Sequence, residues 1–178
     1  SKTVTVAITN DGTYEGLETF TVDLSNAANA SFLDASGSGS ITDDGTGPGG
    51  SDDDRPSLSI ANIAVTEGTD THAVFSLVLS NPSVEPVVLS LVLADGSALI
   101  GTDTGSTLEY FDGSAWQPVP GDVTIPAGQT TLLVRTTVTD DALDENPETF
   151  TLTAVHVSGT LLSSADVTAT GTITDDDP

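Results

Sequence analysis

An internal repeat limits the folds open to this chain of 178 residues. Residues 9–21 match residues 139–151 without a gap, in the frame T-x-D-x-x-x-E-x-x-E-T-F-T. Further on, residues 40–44 match residues 172–176. Because sequence self-similarity marks copies of one structural unit, we interpret residues 1–44 as the C-terminal half of a repeat and residues 57–178 as a complete repeat.

Residues 45–56 form the predicted linker between the two copies. The first half contains four glycines and a proline, a composition typical of a flexible connector. The second half contains Asp52, Asp53 and Asp54. Two interpretations stay open for these aspartates: they cap a metal-binding end of the preceding copy, or they only keep the linker soluble.

The complete repeat is predicted to be all-β, because short apolar runs alternate with polar residues and turn signals separate them. About seven strands at this spacing, without a helical period, predict an immunoglobulin-like antiparallel β-sandwich. In the first copy, residues 3–8, 18–24 and 36–42 are predicted strands. Their apolar face needs an opposing sheet, so we expect a second chain to complete residues 1–44 by swapping or strand addition.

Composition excludes several classes of partner. The chain has 27 acidic and 3 basic residues, a formal charge of −24, whereas nucleic acids and anionic membranes bind basic surfaces. The sequence contains no window of 18 apolar residues, so we expect no direct membrane insertion. With no cysteine and only two histidines, a metal site would use oxygen ligands, as Ca²⁺ and Mg²⁺ sites do.

The stretch from Asp140 to Glu148 carries five carboxylates and no Lys or Arg. Holding it in one ordered loop requires a compensating cation, because like charges a few ångströms apart repel. In a sandwich, the loops that carry Glu67, Asp103 and the terminal aspartates can meet this stretch at one pole. So many carboxylates around one volume favour Ca²⁺ over Mg²⁺, which keeps more of its waters.

The order of these motifs resembles the Calx-β domain, a calcium-binding sandwich. The resemblance is carried by V-T-E-G at 65–68, G-T-D at 101–103, I-P-A-G at 125–128, the acidic stretch, and T-I-T-D-D-D at 172–177. It implies that several Ca²⁺ ions bind at one pole, with the backbone carbonyl of Leu143 as one ligand. The implied carboxylate ligands are Glu67, Asp103, Asp140, Asp141, Glu145, Glu148, Asp175, Asp176 and Asp177.

The first copy keeps part of this ligand pattern, namely Asp11, Glu15, Glu18, Asp43 and Asp44. It departs from the pattern at Asn10, Tyr14 and Gly45, which stand where the second copy has Asp140, Asp144 and Asp177. Its predicted calcium set is therefore reduced.

The threonine-rich, cysteine-free composition is similar to the tandem extender repeats of large RTX-type bacterial adhesins. This resemblance implies a secreted, cell-surface structural module, with neighbouring repeats of the same protein as its partners and Ca²⁺ stiffening the pole and the joint. His72 and His156 are isolated, so we expect no hydrolytic triad and no enzyme activity.

Two other functions stay open at the sequence level. One is a calcium-dependent sugar- or peptide-binding module at the adhesive end of such a protein. Aromatic stacking by Trp116, Tyr110 and Phe111 would serve it, although packing over the end of the sandwich is the expected role of these side chains. The other is a calcium-sensing regulatory domain.

Overall fold

A computed structural model describes residues 2–46 and 52–177 of the chain. These residues form twelve β-strands and no helix, so none of them forms a helix that could cross a membrane. The first copy contributes β1 (Glu18–Asp23) and β2 (Ser36–Ile41). The second contributes β3 (Leu58–Ile60), β4 (Ile63–Thr66), β5 (His72–Leu79), β6 (Val87–Asp95), β7 (Glu109–Phe111), β8 (Trp116–Pro118), β9 (Asp122–Ile125), β10 (Thr131–Thr137), β11 (Glu148–Ser158) and β12 (Val167–Thr174).

The second copy is a sandwich of two five-stranded sheets, ordered β3-β5-β10-β7-β8 and β4-β12-β11-β6-β9. All neighbouring strands are antiparallel except β4 and β12, which pair in parallel. The predicted all-β, immunoglobulin-like sandwich is thus confirmed. The ten strands exceed the predicted seven or so because the first strand divides into β3 and β4 and because β8 pairs with β7 in a short hairpin.

Alternating apolar residues place the core between the two sheets. Phe75 of β5 meets Phe150 of β11 edge to face, with ring centroids 5.8 Å apart, and both side chains are fully buried. Leu77, Leu89 and Leu152 are fully buried beside them. Each such side chain contributes on the order of 2 kcal/mol to the free energy of unfolding, so the core holds β5, β6 and β11 in one register.

The two copies of the sequence repeat also share the same strand pairing. In β1–β2, Glu18 pairs with Ile41 and Phe20 with Gly39, as Glu148 pairs with Ile173 and Phe150 with Gly171 in β11–β12. A Cβ at Gly39 or at Gly171 would lie 2.5 Å from the phenylalanine ring of its own copy. Both copies therefore need glycine for the same reason, a ring that lies flat on the neighbouring strand.

The predicted strand at residues 3–8 is wrong, because this segment joins no ladder in the described structure. The other two predicted strands of the first copy are confirmed to within one residue. By the repeat alignment, residues 1–7 correspond to β10, which pairs with β5 and β7. The described part of the first copy contains no counterpart of β5 or β7, so the segment has no strand to bond with.

The β1–β2 sheet leaves its apolar face open. Val4 is 67% and Val6 47% exposed, and both line a cleft of about 420 Å³ with Phe20 and Val22. In the second copy, Phe75 of the opposing sheet covers the equivalent position. In the described structure, the first copy therefore presents one apolar sheet face without the opposing sheet that completes the core of the second copy.

Trp116 lies against its own sheet. Its ring is 5.4 Å from that of Phe111, and the guanidinium carbon of Arg135 is 4.2 Å from the Trp116 ring centroid. Arg135 also forms an ion pair with Glu109 at 2.7 Å. The aromatic cluster thus packs on neighbouring strands, as expected for a structural role.

The contact between Phe150 and Gly171 yields a test of the fold. We expect Gly171→Ala to lower the free energy of unfolding by about 1–3 kcal/mol, because the added methyl overpacks the buried ring. Thermal melting monitored by circular dichroism measures the change. Gly37→Ala in β2, where a Cβ meets nothing within 4 Å, is the matched control; equal melting temperatures for the two variants would contradict the packing argument.

Candidate metal centre

Strand ends gather the acidic residues at one pole of the sandwich. The parallel strands β4 and β12 both end there, which places Glu67 beside Asp175: the Glu67 N–H donates to Thr174 O at 3.0 Å. β11 begins at the same pole with Glu148. The loop after β6 carries Asp103 there, since the Thr139 N–H that follows β10 donates to the Asp103 carbonyl at 2.9 Å. Four chain segments therefore converge.

The Glu67-Gly68 turn is shaped by its acidic neighbour. Gly68 has φ +67°, in the left-handed region that favours glycine. A Cβ there would lie 2.6 Å from both carboxylate oxygens of Asp176. Glycine therefore lets the chain turn and lets the Asp176 carboxylate approach the backbone.

One acidic group lies in the half-buried interior of the pole. Asp103, Glu145 and Glu148 each place one carboxylate oxygen within 4.8 Å of the others. With Glu67, Asn146, Ile173 and Asp175 they line a cavity of about 10 Å³, roughly one water-sized sphere. The Glu67 side chain, only 6% exposed, closes this cavity on one side. We call Asp103, Glu145 and Glu148 the inner group.

A second acidic group lies at the exit of the repeat. Asp140, Asp176 and Asp177 again place carboxylate oxygens within 4.8 Å of one another. Asp177 Oδ2 is buried and has no hydrogen-bond partner. A buried, unpaired carboxylate oxygen is costly, so this atom fits a metal ligand. We call this set the outer group.

Asp175 and Asp141 organise the acidic loop through backbone contacts. Asp175 accepts the Glu145 N–H at 2.8 Å and the Asp177 N–H at 2.9 Å. Asp141 Oδ1 accepts the Leu143 N–H at 2.8 Å, and the Leu143 side chain is 62% exposed. Asp144 is exposed as well. The structure thus brings all ten residues predicted for this pole into one region.

Crowding of carboxylates shifts their pKa values upward. Burial raises the pKa of Glu67 to about 7, and a hydrogen bond to Asp175 and the negative charges of Asp175, Asp141 and Glu145 add to the effect. Burial also raises the pKa of Glu145 and of Glu148. In contrast, the Asp177 and Glu145 N–H donors lower the pKa of Asp175. The pole without metal therefore favours proton uptake.

No basic side chain neutralises this pole among the described residues. Their two ion pairs are Arg55 with Asp53 and Arg135 with Glu109. Carboxylate oxygens dominate the donor set, which suits a hard divalent cation. The inner group, the outer group and the orphaned Asp177 oxygen therefore fit Ca²⁺ ligation.

The first copy reproduces half of this geometry. The Glu15 N–H donates to Asp43 Oδ2 at 2.9 Å, and the Thr13 N–H donates to Asp11 Oδ1 at 2.8 Å; these bonds match those of Glu145 and Leu143 in the second copy. Asp11, Glu15, Glu18 and Asp43 line an open cleft of about 450 Å³. The described first copy has no counterpart of Glu67 or Asp103, so its cleft is wider and more open to solvent than the cavity of the second copy.

Asp44, also a predicted ligand, accepts hydrogen bonds within its own turn. It accepts hydrogen bonds from Thr46 N at 3.1 Å and Thr46 Oγ1 at 2.5 Å, which lower its pKa. It is bridged to Asp53 through the backbone. The structure therefore does not place it among the residues that line the cleft.

One feature of the site was not assigned from the sequence, and a second was left open there. Asn146 lines the inner cavity, and its place between Glu145 and Glu148 was the available signal. Asp52 and Asp54 join Asp43 in a third acidic group, with carboxylate oxygens within 4.8 Å of one another. That contact depends on how the linker folds back, which no local pattern encodes.

Comparison with solved structures shows the same fold. The crystal structure of the apo-form Calx CBD1 domain matches with a TM-score of 0.50 and 18% identity, covering 69% of this chain and 99% of that one. The calcium binding domain CBD12 of CALX1.1 matches with a TM-score of 0.50 and 20% identity, covering 66% of this chain and 44% of that one. The chain thus spans less than half of the CBD12 structure. No curated protein matches the chain.

The Calx-beta domain model matches residues 1–45 and 51–177, which includes both copies and both acidic poles. The predicted resemblance is therefore confirmed at the level of the family. The chain belongs to the Calx-beta domain family, a family of calcium-binding domains.

Proposed function

We propose that this chain is a calcium-binding structural module, an extender in the tandem array of a secreted bacterial cell-surface adhesin. The observation that carries the calcium part is the inner group, three carboxylates around an ion-sized cavity with no basic partner among the described residues. The tandem arrangement is supported by the internal copy, which repeats the strand register and the acidic loop.

Calcium stiffens such a module through linkage. Ca²⁺ binds the assembled pole and not the dispersed coil, so it stabilises the fold by about 2.7 kcal/mol at a hundredfold excess over Kd. Weak sites, with Kd on the order of 10⁻⁴–10⁻³ M, suffice for an extracellular module. Because the outer group lies at the exit of the repeat, an ion there also restrains the chain that leaves it.

The aromatic residues favour the extender over an adhesive tip. Trp116 and Phe111 contact each other and Arg135. Their hairpin also points away from the acidic pole, since β7 runs antiparallel to β10, which ends at the pole. A calcium-dependent sugar site would need exposed aromatics beside the metal, whereas Trp116 packs on Phe111 and Arg135 within its own sheet.

The open β1–β2 face suggests how chains associate. We infer that a second chain covers Phe20 and Val22 by swapping or strand addition, which would complete the half core of the first copy. Neighbouring repeats of the same protein are the other partners of the module.

Thermal melting tests calcium binding. We expect the melting temperature in EDTA to rise by about 5–10 °C when Ca²⁺ is added to a hundredfold excess over Kd, and Mg²⁺ to shift it less. Glu148→Gln, which removes one inner carboxylate, should reduce the Ca²⁺ shift by at least half. The matched control is Asp122→Asn at the exposed start of β9. A wild-type melt that Ca²⁺ leaves unchanged would refute the calcium function.

The pKa of Glu67 predicts how pH acts on the protein in EDTA. In the folded state this pKa is about 7, above the ordinary value of 4.5. The folded state therefore binds the proton more tightly, and this stability is present below pH 4.5 and is lost as pH rises through 7. The difference between these two pKa values limits the contribution of Glu67 to the free energy of unfolding to about 3 kcal/mol.

We therefore expect the melting temperature in EDTA to fall between pH 5.5 and 8, and Glu67→Gln to flatten that fall. In saturating Ca²⁺ the slope should reverse, because metal binding requires the deprotonated carboxylates. A melt in EDTA that rises across this pH range would contradict the burial of Glu67.

Sedimentation equilibrium tests the association. We expect reversible self-association that depends on protein concentration, weakened at least tenfold by the double variant Phe20→Ser and Val22→Ser, which removes apolar surface from the open face. Val92→Ser, at a valine of the second copy that is 48% exposed, is the control. A chain that stays monomeric at millimolar concentration would contradict association through this face.

A further inference from the structure

We propose that Tyr14 anchors a metal-independent interface between the two copies, which fixes the angle between them. Tyr14 lies in the acidic loop of the first copy, at the position where the second copy has the exposed Asp144. It docks on the turn between β5 and β6 of the second copy. The interface uses no carboxylate side chain and no ion, so it does not depend on the calcium function.

Burial of Tyr14 places it in an interface. Among the described residues of the first copy, 2–46, it is the one buried residue, with 9% of its surface exposed. The β1–β2 sheet has no opposing sheet in the described structure, so the first copy has no core of its own to bury a tyrosine. Ser83, in the β5–β6 turn, is 1% exposed, although turns normally lie on the surface. The two residues form a parallel bridge, so each copy covers the other here.

Main-chain hydrogen bonds hold the Tyr14 loop on this turn. The Tyr14 N–H donates to Pro82 O and the Tyr14 carbonyl accepts the Val84 N–H, both at 2.9 Å. The turn itself is held in place by the Gly128 N–H, which donates to Ser83 O at 2.8 Å. Both bonds of Tyr14 use backbone groups only. Their formation therefore requires neither a bound ion nor a particular protonation state of the nearby carboxylates.

The end of the linker contacts the same turn by a separate route. The Ser57 N–H donates to Ser80 Oγ at 2.9 Å, and the Ser80 N–H donates to Ser57 O at 3.0 Å. The Asn81 side-chain amide donates to Asp54 O. Two segments of the chain, the Tyr14 loop and the end of the linker, therefore reach one turn of the second copy. The linker contact alone leaves rotation about the linker free, whereas the two contacts together restrict it.

Tyrosine suits this buried position, and the aspartate at the matching position of the second copy does not. A tyrosine buries a large apolar ring while its hydroxyl can meet a polar partner. A carboxylate buried there would need a cation, and the guanidinium of the nearby Arg55 is engaged by Asp53 at 2.8 Å. The acidic loop of the second copy, with Asp144, cannot dock in this way without burying a charge.

The first copy, which carries the tyrosine, also lacks outer carboxylates. Asn10 and Gly45 stand where the outer group of the second copy has Asp140 and Asp177. The first copy itself therefore offers fewer ligands for an ion at its exit. The Tyr14 interface supplies, through packing and backbone hydrogen bonds, the restraint that the outer group would supply through an ion.

Distances between spin labels test the interface in the complete chain. The chain has no cysteine, so nitroxide labels at Thr21→Cys in β1 and Ala64→Cys in β4, both exposed positions, report one distance between the copies. We expect a narrow distance distribution in EDTA. It should broaden about twofold in Tyr14→Asp, because domains without a fixed interface move relative to each other. Tyr14→Phe, which keeps the ring, should retain the wild-type width.

Two further variants control for the added charge and for the side of the interface that is changed. Leu17→Asp adds the same charge to the same loop at a side chain that is 70% exposed, and it should keep the wild-type width. Val84→Pro removes the N–H that donates to the Tyr14 carbonyl without changing the first copy, and it should broaden the distribution. The continuous-wave spectrum of the Thr21 label alone should be the same in all variants, as expected if β1 stays ordered.

The outcomes separate this interface from the calcium function. A wild-type distribution that is broad in EDTA and narrows only with Ca²⁺ would overturn a metal-independent interface, and so would a Tyr14→Asp variant as narrow as the wild type. A Thr21 label that becomes mobile in Tyr14→Asp would overturn the assignment too, since Tyr14 would then serve the folding of the first copy. A melt that Ca²⁺ leaves unchanged, together with a narrow distribution in EDTA that Tyr14→Asp broadens, would refute the calcium function and support the Tyr14 interface.

Discussion

Repulsion between carboxylates at the pole is the constraint on which the rest of this structure depends. Two unit charges 4.8 Å apart repel by about 3 kcal/mol at the effective dielectric of a protein surface, and each acidic group contains three such pairs at no more than that distance. The strands do not relieve this repulsion; they create it by bringing four segments together. Burial, together with the neighbouring negative charges, raises the pKa of Glu67 beside these groups to about 7.

The acidic pole continues into the hydrophobic core along β11. Glu148 belongs to the inner group, and Phe150, two residues later on the same side of β11, is fully buried against Phe75. Side chains two apart on a strand share one face, so the acidic pole is the exposed end of the hydrophobic core. An ion that fixes Glu148 also fixes the start of β11, and with it the register of the sheet.

The sequence predicted the elements that depend on local residue patterns or on the internal repeat. Alternating apolar residues marked the strands of the second copy, and the ordered acidic motifs marked the carboxylates that the structure gathers at its pole, although not Asn146. Residues 3–8 have the same alternation and yet form no strand, because a strand needs a partner and β5 and β7 have no described counterpart in the first copy. Tyr14 was out of reach for a related reason, since its contacts join segments about seventy residues apart. For the linker aspartates the sequence left two roles open.

Three differences between the two copies fall where one copy meets the other. Positions that serve the fold are unchanged, as Phe20 and Gly39 match Phe150 and Gly171. Positions 10, 14 and 45 depart, and each lies beside the linker or the β5–β6 turn of the next copy. An exposed aspartate became a buried tyrosine, and a terminal aspartate became a glycine with φ +73° that lets the linker turn back. A repeat that only bound calcium would have no reason to vary at these positions. Variation at the contact surface suits a joint, because the ion-binding pole can recur in each module while the residues that touch the neighbour set the angle between modules.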